Sequence, residues 1–213
     1  MTQNNHPINI KKAISFLKSF RGEGYMNLVA IHPISADVAG ITRPVKSGDL
    51  VKFITRYNTE GNLYFMVNEP HNNAPDTKLK KEHINKIHGV WLDADPSKHK
   101  PFTDERIRLS SFMYELSRDD NPPTYIIDSG GGFQAFWLLN NPVIATKETI
   151  DHYESLSRGL AEKYGTDHVH NIDRLMRIPF TLNIPTKKKI ELGRTEVTSK
   201  VFYAASKEGI RYE

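Results

Sequence analysis

The chain has 213 residues, of which 38% are hydrophobic and 25% are charged, and this size and balance suit one large globular domain or two small lobes. No apolar run approaches the roughly 20 residues that a membrane-spanning helix needs, and the N-terminal sequence MTQNNHPINIKK lacks the apolar centre of a signal peptide, so we expect a cytoplasmic protein. The absence of cysteine excludes disulfides and thiolate metal sites, which leaves oxygen and histidine ligands for any metal.

The net charge of +4 is unevenly distributed. Residues 173–213 contain nine Lys or Arg and five Asp or Glu, so this segment carries the whole excess. A basic segment is compatible with a polyanionic partner such as nucleic acid or a nucleoside triphosphate. A solvated surface of the same composition is the more common case.

In chain order, hydrophobic spacing predicts helices alternating with strands. A helix at INIKKAISFLKSF precedes a strand at MNLVAIHP, a helix at SGDLVKFITRYN capped by Ser47, and a strand at GNLYFMVN. A polar connection leads to a buried strand at HGVWLDADPS and a helix at FTDERIRLSSFMYELSR capped by Thr103. PPTYIIDSGGGFQAFWLL gives two strands about its glycines, and TKETIDHYESLSRGLAEKY gives a long helix. An irregular segment, TDHVHNIDRLMRIPFTLNIPTKKK, and a weak strand at KVFYAAS follow, so we expect a mixed sheet flanked by helices.

Two acidic residues, Asp93 and Asp95 in LDADP, stand two apart at the end of the predicted buried strand. The strand period of two places both side chains on one face, where they repel each other unless a cation lies between them. Oxygen ligands in this arrangement suit Mg²⁺ or Mn²⁺. An isolated pair of this kind is more often solvated, but the position after Val90, Trp91 and Leu92 favours a site.

The glycine run in SGGGFQAFW has two interpretations. Gly130, Gly131 and Gly132 lack Cβ atoms, so a phosphate can approach the backbone and its N–H groups. The alternative is a hairpin turn, which would need only one or two glycines. The presence of three therefore favours the binding interpretation only slightly. Gln134 is expected on the face opposite Phe133 and Phe136.

A third polar stretch, TDHVHNIDRLMRIPFTLN, holds acidic, basic and histidine side chains together. A metal site for phosphoryl transfer needs one more carboxylate as well as cations for a triphosphate, and both kinds are present. A salt-bridged surface loop is the alternative. The residues concerned are Asp167, His168, His170, Asp173, Arg174 and Arg177.

These three stretches, in this order, resemble the motifs of the archaeo-eukaryotic primase superfamily, and especially the small replication primases of plasmids, prophages and other mobile elements. The likeness lies in IHGVWLDAD, in SGGGFQAFW, in the run from YGTD through DRLMRIP to TLN, and upstream in GNLYFMVNEP. It covers roughly residues 8 to 190. Its motifs are moderately specific singly and more specific together.

The resemblance implies an α+β fold with a primase-type catalytic core. That core is an RNA-recognition-like mixed or antiparallel sheet with flanking helices, joined to an N-terminal α/β layer. The implied division is an N-terminal lobe at residues 1–85 and a catalytic lobe at residues 86–213, which form one compact unit with a soft boundary.

Carried over by position, the resemblance makes Asp93 and Asp95 catalytic metal ligands, with Asp167 as the third carboxylate and Asp173 as its alternative. It implies template contacts from Lys187, Lys188 and Lys189. It implies nucleotide contacts from Ser129, Gly130, Gly131, Gly132, Gln134, Arg174, Arg177 and Asn183. Two departures are Gln134, where many members have histidine, and Phe180 after Pro179, where a glycine is common.

The implied activity is DNA priming: template-directed nucleotidyl transfer on single-stranded DNA with Mg²⁺ or Mn²⁺, for replication of a mobile element or phage. The implied partners are the single-stranded template, nucleoside triphosphates and a replicative helicase, fused or separate. The preference for ribo- or deoxynucleotides stays open. Because the chain ends in KEGIRYE without a clear stop signal, a full protein and an excised domain both stay open.

Two other functions compete with priming. His168-Val169-His170 matches the signature of rolling-circle nucleases and relaxases, for which Tyr153 or Tyr164 would supply the nucleophile. A non-catalytic module that binds single-stranded DNA would instead stack bases on sheet aromatics. The candidates for that platform are Tyr64, Phe133, Phe136 and Trp137.

Overall fold

The computed structural model describes residues 8–205 and 211–212. The helices are α1 (Ile10–Arg21), α2 (Gly48–Tyr57), α3 (Phe102–Leu116), α4 (Lys147–Tyr164) and α5 (Lys187–Glu191), with a 3-10 turn at Lys81–His83. The strands are β1 (Tyr25–Ile31), β2 (Val38–Pro44), β3 (Asn62–Met66), β4 (Glu69–Pro70), β5 (Ile84–Ala94), β6 (Tyr125–Asp128), β7 (Phe133–Ile144), β8 (Leu175–Arg177), β9 (Leu182–Asn183), β10 (Val197–Thr198) and β11 (Lys200–Ala204). Ser206, the last residue of the predicted strand KVFYAAS, lies outside the described residues.

Side-chain caps explain where the helices begin. The Asn9 side chain accepts a hydrogen bond from the Lys12 amide at the start of α1, and Ser47 caps α2 as predicted. Thr146 begins α4 with a capping box, and Gly165 ends that helix in the left-handed conformation. The predicted cap of α3 was wrong, because Pro101 occupies the N-cap position and Thr103 lies inside the first turn.

The first sheet has the strand order β2-β1-β3-β8, and its strand pairs are antiparallel. The apolar faces of α1 and α2 join its inner side in the largest core cluster, which centres on Phe16, Phe20 and Phe65. No strand was predicted at β2. It is a half-exposed edge strand without a continuous apolar run, so its pairing with β1 rather than its composition accounts for it.

The second sheet has the order β11-β6-β7-β5-β4, again with antiparallel pairs. One face carries Trp91, Ile127 and Phe136 into the core shared with the first sheet. The other face carries residues such as Leu92 and Phe133 against the buried side chains of α3. This arrangement confirms the α+β prediction of an antiparallel catalytic sheet combined with an N-terminal α/β layer.

The chain does not complete the first sheet before it begins the second. β8, from residues 175–177, completes the first sheet, whereas β4, from residues 69–70, belongs to the second. The predicted boundary near residue 86 stays a prediction. Residues 166–189 were predicted to be irregular, and this was wrong for β8, β9 and α5, which are short elements.

Among the helices that the structure describes, none is long and apolar enough to cross a bilayer.

Candidate active site

Three carboxylates come together where β5 ends. Asp93 is the next-to-last residue of β5, and Asp95 follows directly after the strand. The Asp167 amide donates to the Asp93 carbonyl at 3.0 Å, as in an antiparallel bridge. The Asp95 amide in turn donates to Oδ2 of Asp167 at 3.0 Å. The structure thus brings the predicted third carboxylate to the acidic pair across more than 70 residues of sequence.

These carboxylates open into a cleft of about 690 Å³. Most of the residues that line the cleft are polar or charged, and the charged ones are of both signs. Basic groups therefore face the acids across the same space. The lining includes Asp93, Asp95, Ser97, Lys98, His99, Asp167, His168, Arg174, Lys189 and Arg194.

Asp93 is the most perturbed acid of the cleft. Its burial, and next the negative charge of Asp95, raise the pKa of the Asp93 carboxyl to about 6. The Arg174 guanidinium opposes this shift, since its Nη2 lies 3.3 Å from Oδ2 of Asp93. A carboxylate with this balance of neighbours gains stability from any further cation placed beside it.

Asp95 has a cationic partner of its own. Nη1 of Arg194 lies 3.7 Å from Oδ1 of Asp95, and the Arg194 guanidinium stands over the Phe102 ring at 5.6 Å. Arg194 was not among the predicted site residues. Its only sequence signals were the basic composition of the C-terminal segment and the preceding Gly193, which has a φ of 81°.

The glycine run forms a turn against the end of β5. Ser129 closes the turn, because its Oγ donates to the Gly132 carbonyl at 2.9 Å and accepts from the Gly132 amide at 3.0 Å. Gly130 has a φ of 83°. A Cβ on Gly132 would stand 2.3 Å from the Ala94 carbonyl oxygen, whereas the closest neighbour of a Cβ on Gly131 would be the flexible end of Arg194, at 2.8 Å.

Gln134 and Arg177 meet behind this turn rather than in the cleft. Gln134 pairs with Asp93 across β5 and β7, and its Oε1 accepts from the Arg177 main-chain amide at 2.9 Å. The Arg177 side chain is 5% exposed and donates to Asn62, Tyr64 and Asn183. Asn183 donates onward to the Ser129 carbonyl at 2.6 Å. This chain of hydrogen bonds supports the glycine turn from below.

Comparison with known proteins gives matches in structure alone. No protein-family model matches the chain, and no curated protein matches its sequence. The chain superposes on the primase RepB' with a TM-score of 0.59 and 13% identity, over 93% of this chain and 58% of that one. It superposes on the primase-polymerase domain of cyanophage S-2L with a TM-score of 0.62 and 17% identity, over 92% and 91%. It also superposes on the catalytic domain of RepB' in complex with initiator DNA, with a TM-score of 0.55 and 14% identity, over 93% and 86%.

The chain has the archaeo-eukaryotic primase fold. These identities show the fold alone, and the chain spans 58% of the first RepB' chain. The primase fold nevertheless explains why an acidic strand end, a glycine turn and a polar segment from different parts of the sequence meet at one cleft.

The other predicted site residues differ in whether they line the cleft. Asp173 accepts from the Asn171 side chain at 2.7 Å and does not belong to the described lining of the cleft. Lys187 and Lys188 are exposed on α5, and Lys189 reaches the cleft. The binding roles predicted for these residues, and for Ser129, Gln134, Arg177 and Asn183, stay predictions.

The acids fit a hard divalent ion with few protein ligands. Within residues 8–205 and 211–212, no three acidic or histidine side chains form a group that could hold a metal ion together. Mg²⁺ commonly uses one or two carboxylates and takes its remaining ligands from water and substrate phosphates. Asp93 and Asp95, both facing an open polar cleft, match that pattern.

The nuclease alternative lacks its expected geometry. His168-Val169-His170 is not on a strand. Val169 instead packs against the main core, and its carbonyl accepts from Trp91 Nε1 at 2.7 Å. His168 lines the cleft, and His170 contacts Arg158.

The alternative of a stacking platform lacks an exposed aromatic surface, because its candidate members are largely core residues. Phe133 and Phe136 are fully buried and Trp137 is 8% exposed, so their rings cannot meet bases. Tyr64 is half-buried beneath Arg177, whose guanidinium lies 4.6 Å from the ring centre. The expected position of Gln134 was also wrong in part: the period of two places Phe136 on the same face as Gln134, and only Phe133 lies opposite.

Proposed function

We propose that this protein is a DNA primase, a nucleotidyltransferase that builds primers on a single-stranded DNA template. The observation that carries the proposal is the meeting of Asp93, Asp95 and Asp167 in one polar cleft beside a glycine turn, within a primase fold. Each feature alone has a structural explanation. Transfer of a nucleotidyl group needs a cluster of acids, cations close to them, and a backbone turn that a phosphate can approach.

The reaction would join a 3′-hydroxyl oxygen to the α-phosphorus of a nucleoside triphosphate, with pyrophosphate as the leaving group. Mg²⁺ or Mn²⁺ held by Asp93 and Asp95 would supply an activated hydroxyl and neutralise charge on the phosphates. The Asp167 carboxylate accepts a hydrogen bond from the backbone amide of Asp95 and so positions Asp95. The hydrogen-bonded chain from Gln134 through Arg177 to Asn183 positions the glycine turn.

Single-stranded DNA is the proposed template. One structural neighbour is a primase catalytic domain in complex with initiator DNA. In this chain, the exposed Lys187 and Lys188 on α5 stand next to Lys189 at the cleft and would contact template phosphates. Replication of a mobile element or phage, with a helicase fused to the chain or separate from it, is the proposed setting.

The decisive experiment incubates the purified protein with single-stranded DNA, labelled NTPs or dNTPs, and Mg²⁺ or Mn²⁺. We expect template-dependent oligomers from the wild type and none from the double variant Asp93→Ala/Asp95→Ala. The matched control is Asp119→Ala/Asp120→Ala, which removes two exposed aspartates outside the described lining of the cleft. Circular dichroism checks that both variants are folded.

Full primer synthesis by the Asp93→Ala/Asp95→Ala variant would refute the assignment. Two other outcomes would identify the competing functions. Metal-independent DNA binding without nucleotide incorporation would indicate a binding module, and a covalent tyrosine–DNA adduct would indicate the nuclease.

A further inference from the structure

The acids of the cleft are already paired with cations of the same chain. Arg174 lies 3.3 Å from Asp93, and Arg194 lies 3.7 Å from Asp95. We propose that Arg174 and Arg194 are exchangeable counter-ions, which leave the acids for the nucleotide phosphates when a divalent ion binds, so that ion and nucleotide bind as a coupled pair. This inference rests on the proposed function and names the residues that would contact the triphosphate.

Arg194 lies next to the glycine turn, where we expect a nucleotide phosphate to bind. Its Nη1 lies 3.7 Å from Oδ1 of Asp95, and a Cβ on Gly131 would stand 2.8 Å from the same atom. The side chain is 11% exposed and rests on the Phe102 ring. Short movements of the guanidinium from Asp95 would therefore bring it to an anion bound at the turn, without rearrangement of either strand.

Arg174 has donor capacity left over. Its Nη2 contacts Asp93, and its Nε is buried without a hydrogen-bond partner in the described part of the chain. A buried donor left unpaired is unfavourable, and a phosphate oxygen in the adjacent cleft would satisfy it. Arg174 also lines the cleft, so a ligand there can reach it.

Arg177 contrasts with both of these arginines. It is buried, and its two terminal nitrogens donate to Asn62, Tyr64, Asn183 and the Leu182 carbonyl. To contact a triphosphate it would have to break the bonds that hold the glycine turn. The nucleotide contact implied for Arg177 by the family resemblance therefore falls better to Arg194, with Arg177 as a positioning residue.

The coupling follows from electrostatics. A divalent ion at Asp93 and Asp95 would be repelled by guanidinium groups that remain beside the same carboxylates, which weakens metal binding on its own. Nucleotide phosphates offer those guanidinium groups new anionic partners and also ligate the ion. Each ligand then strengthens the other by the same factor, since binding linkage is reciprocal.

The test is titration of Mn²⁺, with free Mn²⁺ read by electron paramagnetic resonance, in the presence and absence of a non-hydrolysable nucleoside triphosphate. We expect weak Mn²⁺ binding to the free wild type and about tenfold tighter binding with nucleotide, within the usual range of coupling. Arg194→Ala and Arg174→Ala should bind Mn²⁺ alone about tenfold more tightly than the wild type and lose most of the coupling. Arg194→Lys should restore much of the wild-type pattern.

The matched control is Arg118→Ala, which removes an exposed arginine just past the end of α3, roughly 24 Å from the start of that helix at 1.5 Å per residue. It should behave as the wild type. Equal Mn²⁺ affinity of Arg194→Ala, Arg174→Ala and the wild type, in a protein that makes primers, would overturn this inference and leave the proposed function standing. Absence of Mn²⁺ binding, nucleotide binding and primer synthesis in the wild type would overturn both.

Discussion

The main-chain amide of Arg177 donates a 2.9 Å hydrogen bond to Oε1 of Gln134, and this bond joins the two sheets directly behind the acidic cleft. Arg177 ends β8 in the first sheet, and Gln134 lies in β7 of the second, opposite Asp93. The bond therefore sets how the polar segment that carries Arg174 and Arg177 lies relative to the acids.

Substitution of Gln134 should show how much this hydrogen bond contributes to the stability of the protein. Gln134→Leu keeps a similar volume and leaves the buried Arg177 amide without an acceptor, so we expect the free energy of unfolding to fall by about 1–3 kcal/mol in urea titrations. Hydrogen exchange at the Arg177 amide should accelerate. Gln134→Glu keeps the acceptor and should preserve the slow exchange, and equal exchange rates in the two variants would show that this bond contributes little.

The glycine turn should respond differently at neighbouring positions. Gly132→Ala places a Cβ 2.3 Å from the Ala94 carbonyl oxygen, which is backbone, and should lower the free energy of unfolding by about 1–3 kcal/mol. The Cβ of Gly131→Ala comes closer than 3.4 Å only to the flexible end of Arg194, so this substitution should change the free energy of unfolding by less than about 0.5 kcal/mol. Thermal or urea unfolding of the pair tests this, and equal losses would contradict it.

A second glycine pair tests the contact between β5 and β7. A Cβ on Gly89 would stand 2.1 Å from the Trp137 carbonyl oxygen, so Gly89→Ala should destabilise the protein by about 1–3 kcal/mol. Gly159, exposed in the middle of α4, has open space around it, and Gly159→Ala should stabilise the protein by up to about 1 kcal/mol. Opposite signs in urea titration are the expected result; a stable Gly89→Ala variant would mean that the two strands can separate at little cost.

Acid should destabilise the protein through His88. Burial and, next, the positive charge of Arg21 lower the pKa of His88 to about 4, although Oε2 of Glu69 accepts a hydrogen bond from the ring Nε2 at 3.2 Å and opposes the shift. Between pH 6.5 and about 4 the unfolded chain binds a proton that the folded protein excludes, so stability is full above pH 6.5 and falls as the pH drops through this window. The expected loss is on the order of 3 kcal/mol.

Urea titrations of the wild type and His88→Gln at pH 7.5 and at pH 4.5 measure this loss. Glutamine keeps a polar contact to Glu69 without a titratable ring, so the variant should lose less stability on acidification than the wild type does. The same loss in both proteins would assign the acid sensitivity to other groups.

The long amphipathic elements could be predicted from the sequence because the pattern of their own residues largely determines whether they form a helix or a strand. α1, α2 and α4 follow from apolar spacing with a capping side chain, and the strand pair about the glycines follows from β-branched and aromatic content. The short strands β8, β9 and β10 could not be predicted, because each depends on a partner strand that lies far away along the chain or that is itself only two residues long.

The meeting of the three acidic side chains could be predicted from the sequence better than the contacts around them could. Asp93, Asp95 and Asp167 meet as the three-stretch pattern indicated. The burial of Arg177 could not be foreseen, since an arginine in a polar segment is usually exposed, and only the pairing of β8 with β3 carries it inside. Arg194 was missed because its contact with Asp95 depends on where α5 and the following loop lie, and short motifs do not encode that position.

The place of β8 in the first sheet also bears on how the protein is made. β3 ends at Met66, and the strand that covers its free edge begins at Leu175, about 110 residues later. At 5–20 residues per second, a ribosome takes roughly 5 to 20 seconds to deliver that strand. During this interval the nascent chain carries the apolar strand NLYFM with one unpaired edge, which is a site for aggregation. Nascent or truncated chains that stop before residue 175 should therefore need chaperones more than the finished protein does.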